Sequence, residues 1–162
     1  MILDKHTADK KLRRMALEVA ERNYGNKEII LIGIKENGIF IAKKIEEYLL
    51  EVYSGFVRVM SLEIDKKNPG EIKLSEEVDF NNKTILLIDD VANSGRTMLY
   101  ALKPLLKQYP TQIQTLALVE RTHKQFPVAV NYVGLSVSTT LQENIVVDVE
   151  GGEVVGARLE NN

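Results

Sequence analysis

Apolar positions follow two rhythms along this chain, one of helices and one of buried strands. Ala8, Leu12, Met15, Ala16 and Val19 recur at helical spacing and share one face, with Lys10, Lys11, Arg13, Arg14 and Glu18 elsewhere on the turn. They predict a first helix that starts at Asp4 or Thr7, runs to Tyr24 and stops at Gly25. Glu28 to Ile34 is then a nearly unbroken apolar run, the pattern of a parallel strand covered on both faces. Ile41, Ala42, Ile45, Tyr48, Leu49 and Val52 return to helical spacing. Strands are expected at Phe56–Glu63 and Lys83–Asp89, with the polar stretch Asp65–Glu77 between them as a loop or mobile hairpin around Asn68-Pro69-Gly70. A third helix should open near Ser94 and reach Tyr109, burying Met98, Leu102 and Leu105 and kinked by Pro104. Gln112–Glu120 and Val128–Leu135 read as further strands. Asn144–Glu150 and Glu153–Leu159 flank Gly151-Gly152 as a C-terminal hairpin.

Strands that alternate with helices imply an α/β fold, a central parallel sheet flanked by helices. Ligands of such sheets sit beyond the carboxyl ends of the strands, here just after Ile34, Glu63, Asp89 and Glu120. A length of 162 residues without an interdomain linker fits one domain over 1–162. The absence of cysteine removes disulfides and thiolate metal sites. No apolar run approaches a membrane span and the N-terminus lacks a signal-peptide pattern, so a cytoplasmic protein is expected. A net charge of −2 counts against nucleic acid as a main partner, because phosphate neutralisation dominates such binding.

The densest chemistry is Ile85-Leu86-Leu87-Ile88-Asp89-Asp90-Val91-Ala92-Asn93-Ser94-Gly95-Arg96-Thr97. Two carboxylates at the end of a buried strand are costly unless cations or hydroxyls meet them. Ser94-Gly95-Arg96-Thr97 follows at a helix start, where Gly95 allows a tight turn of exposed amides and the helix N-terminus favours a phosphate. Acids beside a phosphate cradle suit a ligand with both diol and phosphate, accompanied by a divalent cation; a ribose 5-phosphate has that shape. Three other readings use the same residues. A receiver domain places its acidic pair after its first strand, whereas only 72 residues follow Asp90 here. A nucleotide-binding P-loop needs a Gly-x-x-x-x-Gly-Lys-[Ser/Thr] run, which this sequence lacks. A plain serine N-cap explains Ser94 but not the acids before it.

The Ile85–Thr97 run resembles the phosphoribosyl pyrophosphate signature of the type I phosphoribosyltransferases. Ile32-Gly33-Ile34-Lys35-Glu36-Asn37-Gly38-Ile39 is similar to that fold's pyrophosphate loop. Leu118-Val119-Glu120-Arg121-Thr122-His123-Lys124, Phe126-Pro127-Val128 and Asn131-Tyr132-Val133-Gly134 resemble one branch, the bifunctional pyrimidine operon attenuator and uracil phosphoribosyltransferase family. Ile2-Leu3-Asp4 and Glu21-Arg22-Asn23 look like it too. The resemblance implies the type I fold, with a small hood beside the sheet, and nucleotide salvage as the role. It assigns Asp89 and Asp90 to the ribose hydroxyls and to placing Mg²⁺, and makes them and Lys35 the catalytic candidates. Lys35, Glu36, Asn37 and Gly38 would face the pyrophosphate. Val91, Ala92 and Asn93 complete the phosphoribosyl pyrophosphate loop, whose Ser94, Gly95, Arg96 and Thr97 would cradle the 5-phosphate. Glu120, Arg121, His123 and Val128 are the base-binding candidates, and a homo-oligomer, dimer or tetramer, is implied.

Two departures bear on the base. Purine-using relatives carry a lysine where Glu120 stands and an aspartate where Asn93 stands. Glutamate cannot donate to an exocyclic oxygen, and Asn93 cannot act as a general base. Both favour a pyrimidine, uracil above others; a hypoxanthine or guanine enzyme and an RNA-binding attenuator with weak catalysis are the alternatives. Against RNA, Ala129 and Leu135 stand at positions that resemble basic ones in RNA-binding members, and Leu17 at a polar one. The pyrophosphate loop has Glu36-Asn37 where many relatives have arginine or threonine. The Asp65–Glu77 loop holds Lys66, Lys67 and Lys73 but no arginine. His123 reads equally as a group near the base or as an exposed loop histidine.

Overall fold

The computed structural model describes residues 1–65, 67–68, 70–140 and 142–161; Lys66 of the loop above lies outside them. The chain opens with a two-residue strand, β1 (Leu3–Asp4), that leads directly into helix α1 (Lys5–Arg22). The Asp4 carboxylate accepts the Thr7 amide at 2.7 Å and caps that helix, so Asp4 rather than Thr7 marks its start. β2 (Glu28–Ile34), α2 (Gly38–Val52) and β3 (Phe56–Ile64) follow, then the short β4 (Ile72–Leu74) and β5 (Thr84–Ala92). Next come α3 (Arg96–Leu105), β6 (Gln112–Arg121), β7 (Tyr132–Val137) and the hairpin β8 (Glu143–Glu150) and β9 (Glu153–Asn161).

Six strands form the main sheet in the order β4-β3-β2-β5-β6-β7. All neighbours are parallel except β4, which turns back antiparallel on β3 and makes the hairpin expected in the polar loop. Side chains of a strand alternate between faces, and both faces here are apolar. Ile29 and Leu31 of β2 join Leu86 and Ile88 of β5 under α1 and α2, against Leu12, Met15, Ile41 and Ile45. Ile30, Ile32, Ile85 and Leu87 face the other way, against Met98, Ala101 and Leu105 of α3 and Phe80. The second sheet, β1-β9-β8, is antiparallel and forms the hood, its Leu3, Ile145, Val147, Val154 and Ala157 continuing the first of these cores. Gly151 and Gly152 turn the hairpin with φ of 59° and 81°.

Two expectations are corrected. α3 ends at Leu105 instead of reaching Tyr109: it accommodates Pro104 in its last turn, and the Leu106 N–H closes it on the Leu102 carbonyl. The strand expected at Val128–Leu135 is instead Tyr132–Val137. Its first part is held as a loop by Thr115, whose Oγ1 donates to the Ala129 carbonyl at 2.6 Å and accepts the Asn131 amide at 3.1 Å. Val128 and Val130 are apolar because they pack on the α3 side of the sheet, not because they alternate in a strand.

Chain order places β3 to one side of β2 and β5 to the other. At such a reversal the connections leave in opposite directions, and a crevice opens beyond the carboxyl ends of the two strands. The register pairs Gly33 with Ile88, so the Lys35–Asn37 loop and the Asp89-Asp90 pair emerge side by side at that crevice.

Candidate active site

A cleft of about 600 Å³ occupies this position. Its walls are Lys35, Glu36 and Asn37 from the loop after β2, Asp89 to Gly95 with Thr97 from β5 and the turn after it, and Ile145, Val146 and Val147 from β8. Glu63 and Ile64, at the end of β3, complete the rim. The chemistry expected after Ile34, Glu63 and Asp89 therefore converges on one place.

Gly38 explains how closely two of these walls approach. A Cβ there would lie 2.7 Å from the Ile88 carbonyl oxygen and 3.3 Å from Asp89 Oδ1, so any side chain would push the two loops apart. The Lys35 amide donates to the Leu62 carbonyl at 2.8 Å, which ties the loop to β3 as well. The Lys35–Glu36 peptide is cis, and both side chains are exposed at the cleft.

Asp89 is buried at 8% exposure and Asp90 is half-buried. Each carboxylate accepts the next backbone amide at 2.8 Å, Asp90 N–H to Asp89 Oδ1 and Val91 N–H to Asp90 Oδ1. Asp90 Oδ2 accepts Asn37 Nδ2 at 3.1 Å. These bonds fix both groups in the cleft wall. Beyond them Gly95 takes a φ of +87°, in the left-handed region that suits glycine, and turns the chain into α3. Ser94 Oγ accepts the Arg96 amide at 3.2 Å. The remaining backbone amides at the start of α3 have no intrahelical partner and point towards the cleft end of the helix. Arg96 itself is exposed, with its guanidinium 5.6 Å from the centre of the Tyr100 ring.

The segment after β6 packs on this turn from behind. The Gln125 and Phe126 amides both donate to the Ser94 carbonyl at 3.0 Å, and Val128 lies so close to Gly95 that a Cβ there would be 2.8 Å from Val128 Cγ1. Of the four base-binding candidates none lines the cleft. Glu120 is ion-paired to Lys124 and accepts Ser136 Oγ at 3.1 Å. Arg121 donates through Nη2 to the Glu143 carbonyl. His123 is exposed, and Val128 packs on the turn at Gly95. Lys124, a basic residue of the same family-like run, is thus the partner that occupies Glu120. The β8 wall was also missed, and the contacts there show why: Asn37 Nδ2 donates to the Val147 carbonyl at 3.1 Å, and Asn93 meets the Ile145 carbonyl at 3.4 Å and the Ile145 amide at 3.5 Å.

A metal would find two carboxylates here. Among the described residues no group of three or more His, Asp or Glu side chains is placed to hold an ion unaided. Mg²⁺ takes about six oxygens and is commonly bound by one or two carboxylates together with substrate phosphates and water. Asp89 and Asp90 fit an ion that arrives with a phosphorylated ligand. Leu17 on α1 is 53% exposed and Ala129 is exposed, so neither is explained by burial. No helix among the described residues is long and apolar enough to cross a membrane.

The family model described as phosphoribosyl transferase domain matches residues 1–150. The protein called bifunctional protein PyrR of Bacillus cereus is 33% identical to this chain, covering 93% of it and 90% of its own length. The protein of that name from Pediococcus pentosaceus is 34% identical, covering 91% and 90%. Among solved structures, the hypoxanthine phosphoribosyltransferase of Trypanosoma cruzi superposes with a TM-score of 0.80 at 13% identity, over 99% of this chain and 97% of that one. A hypoxanthine-guanine phosphoribosyltransferase of Bacillus anthracis gives 0.72 at 19% identity, over 90% and 85%. At those identities the structures share the fold.

Proposed function

The chain belongs to the phosphoribosyl transferase domain family, and from that membership we propose that it transfers ribose 5-phosphate from phosphoribosyl pyrophosphate to a pyrimidine base, uracil before others. One observation carries the ligand: the Asp89-Asp90 pair and the Ser94–Thr97 turn meet the Lys35–Asn37 loop around a single cleft. The turn and the α3 N-terminus take the 5-phosphate, with the Gly95 and Thr97 amides as donors and the Arg96 amide holding Ser94 Oγ in the turn. Asp89 and Asp90 accept from the ribose hydroxyls. Lys35, Glu36, Asn37 and Gly38 form the pyrophosphate side, where Lys35 brings the positive charge and Glu36 lines the same cleft. Mg²⁺ bound with the pyrophosphate supplies charge neutralisation of the leaving group. The bond from the anomeric carbon to pyrophosphate breaks through an oxocarbenium-like transition state, so the chain's own part is to hold ribose, leaving group and base in line.

Pyrimidine use rests on Asn93, which lines the cleft and cannot take up a proton at neutral pH. Glu120, held by Lys124 and Ser136 away from the cleft wall, leaves no lysine donor at its position. The hypoxanthine enzymes among the solved structures share the fold alone and do not speak against this. RNA is the disfavoured partner, because the net charge is −2 and the exposed Leu17 and Ala129 offer no charge to a phosphate. The deciding experiment measures pyrophosphate release from phosphoribosyl pyrophosphate with uracil, hypoxanthine, guanine, xanthine and orotate, with Mg²⁺ and with chelator. Uracil-dependent release that stops with chelator is expected. Preference for hypoxanthine or guanine would overturn the base assignment, and silence with every base would overturn the transferase.

A further inference from the structure

β8 is the edge strand of the hood, paired with β9 on one side and, among the described residues, with no strand on the other. Backbone groups at alternate positions of an edge strand point away from the sheet and need partners. Ile145 and Val147 have the same parity, lying opposite Leu159 and Ala157 of β9, and both turn their backbone towards the cleft. Two asparagines from the main sheet meet them. The Asn93 amide makes a two-way contact with Ile145, donating to its carbonyl at 3.4 Å and accepting its N–H at 3.5 Å, as a neighbouring strand would. Asn37 donates to the Val147 carbonyl at 3.1 Å and, with the same nitrogen, to Asp90 Oδ2 at 3.1 Å.

We infer that Asn93 and Asn37 are positioning residues, a pair of side-chain amides that clasp the free edge of β8 and set the distance between hood and ribose loop. The inference rests on the transferase reading above and deepens it. With phosphate, ribose and pyrophosphate assigned to the two loops, β8 is the wall left to face the base. Asn93 then acts on the base through β8 and not by touching it. The residue type matters: only an amide offers both a donor and an acceptor from one planar group. An aspartate of the same size keeps the acceptor for Ile145 N–H but sets a negative oxygen against the Ile145 carbonyl. Asn37 extends the coupling, because the nitrogen that holds Val147 also holds Asp90, so the hood edge and the acidic pair are fixed by one group.

Three variants, Asn93→Leu, Asn93→Asp and Asn93→Gln, test this through kinetics and amide exchange. Leucine has the shape of asparagine without its hydrogen bonds. It should speed hydrogen exchange of the Ile145 amide in the free protein and raise KM for the base about tenfold, the scale of losing two modest hydrogen bonds. KM for phosphoribosyl pyrophosphate should stay within about twofold, because the amides of the 94–97 turn are untouched. Aspartate should resemble leucine, and glutamine, which keeps the amide, should recover part of the loss. A merely structural asparagine would lower Tm and leave the two KM values in their wild-type ratio, and that result overturns the inference. So does turnover intact in the wild type with exchange and base KM unchanged in Asn93→Leu. Wild-type protein that uses no base overturns the transferase reading, and the kinetic role with it, while the exchange measurement still reports the clasp.

Discussion

Replacing Lys124 with methionine separates two jobs for the end of β6, reading the base or locking the segment that backs the phosphate turn. The Lys124 ammonium contacts the Glu120 carboxylate, with the two side chains only 11% and 16% exposed. Ser136, opposite Glu120 in β7, donates to the second carboxylate oxygen. The lysine stem passes over the turn, its Cδ 3.4 Å from where a Cβ of Gly95 would sit. Methionine keeps most of that stem and removes the charge, leaving Glu120 largely buried with one neutral donor. Removing one partner of a buried pair costs about 3–5 kcal/mol, and the residual exposure here brings the expectation to about 2–3 kcal/mol. Pairing it with Glu120→Gln removes both charges, and the double variant should lie within about 1 kcal/mol of wild type, because replacing a whole buried pair is often nearly neutral. The coupling in the double-mutant cycle is then at least about 1–2 kcal/mol, and larger by whatever Glu120→Gln costs alone. Urea unfolding at pH 7 reads it: with a slope of about 1–3 kcal/mol/M, Lys124→Met should move the midpoint down by about 1 M, and the double variant should return most of it. Uracil should still be used by the double variant, with a weaker hold on phosphoribosyl pyrophosphate as the 125–126 amides loosen from Ser94. Additive single effects would refute the locking argument. So would a Glu120→Gln variant of unchanged stability that has lost the base.

Asp89→Asn with Asp90→Asn should abolish turnover while circular dichroism and the cooperative melt remain, since asparagine preserves the acceptors for the Asp90 and Val91 amides; activity left intact would remove both carboxylates from the mechanism. The Tyr132 phenol is fully buried, and burial pushes its pKa up, with the nearby Arg22 acting in the opposite direction. The fold therefore favours the neutral form: that contribution is complete below the unfolded value near 10 and is lost as pH rises through the higher folded value. Tyr132→Phe should cost about 1–2 kcal/mol at pH 7, because Gln114 Oε1 loses a donor at 2.8 Å, and should flatten the fall of Tm above about pH 10; an unchanged alkaline slope would deny the coupling.

The parts of the fold that were legible are those whose cause is local. Glu28–Ile34 reads as a buried parallel strand because each of its faces meets helices, and the structure returns the same bounds. Asp89 to Thr97 is legible because one short stretch holds strand end, acids, turn glycine and helix start together. Pro104 was read as a kink because the sequence shows a missing N–H but not whether packing continues beyond it. Val128 and Val130 imitate a strand, and only the contacts of Thr115 and the α3 side of the sheet show that burial, not pairing, chose them.

The less legible half of the cleft has a different cause. Asn37 and Asn93 lie 110 and 52 residues from the groups they hold on β8, and those groups are backbone. A backbone acceptor leaves no mark in the sequence, because Ile145 and Val147 are chosen for their apolar side chains in the hood core while their peptide groups serve the cleft. The same holds for Ser94, whose carbonyl takes two amides from a segment thirty residues on. The acids and the turn of the cleft can therefore be named from a motif, whereas its β8 wall is held through main chain by distant amides. For Asn93 and Glu120 the sequence shows only which residue types they replace. What they do instead, one clasping the hood and the other locked to Lys124, becomes visible only once β6, β8 and the 94–97 turn are brought together in space.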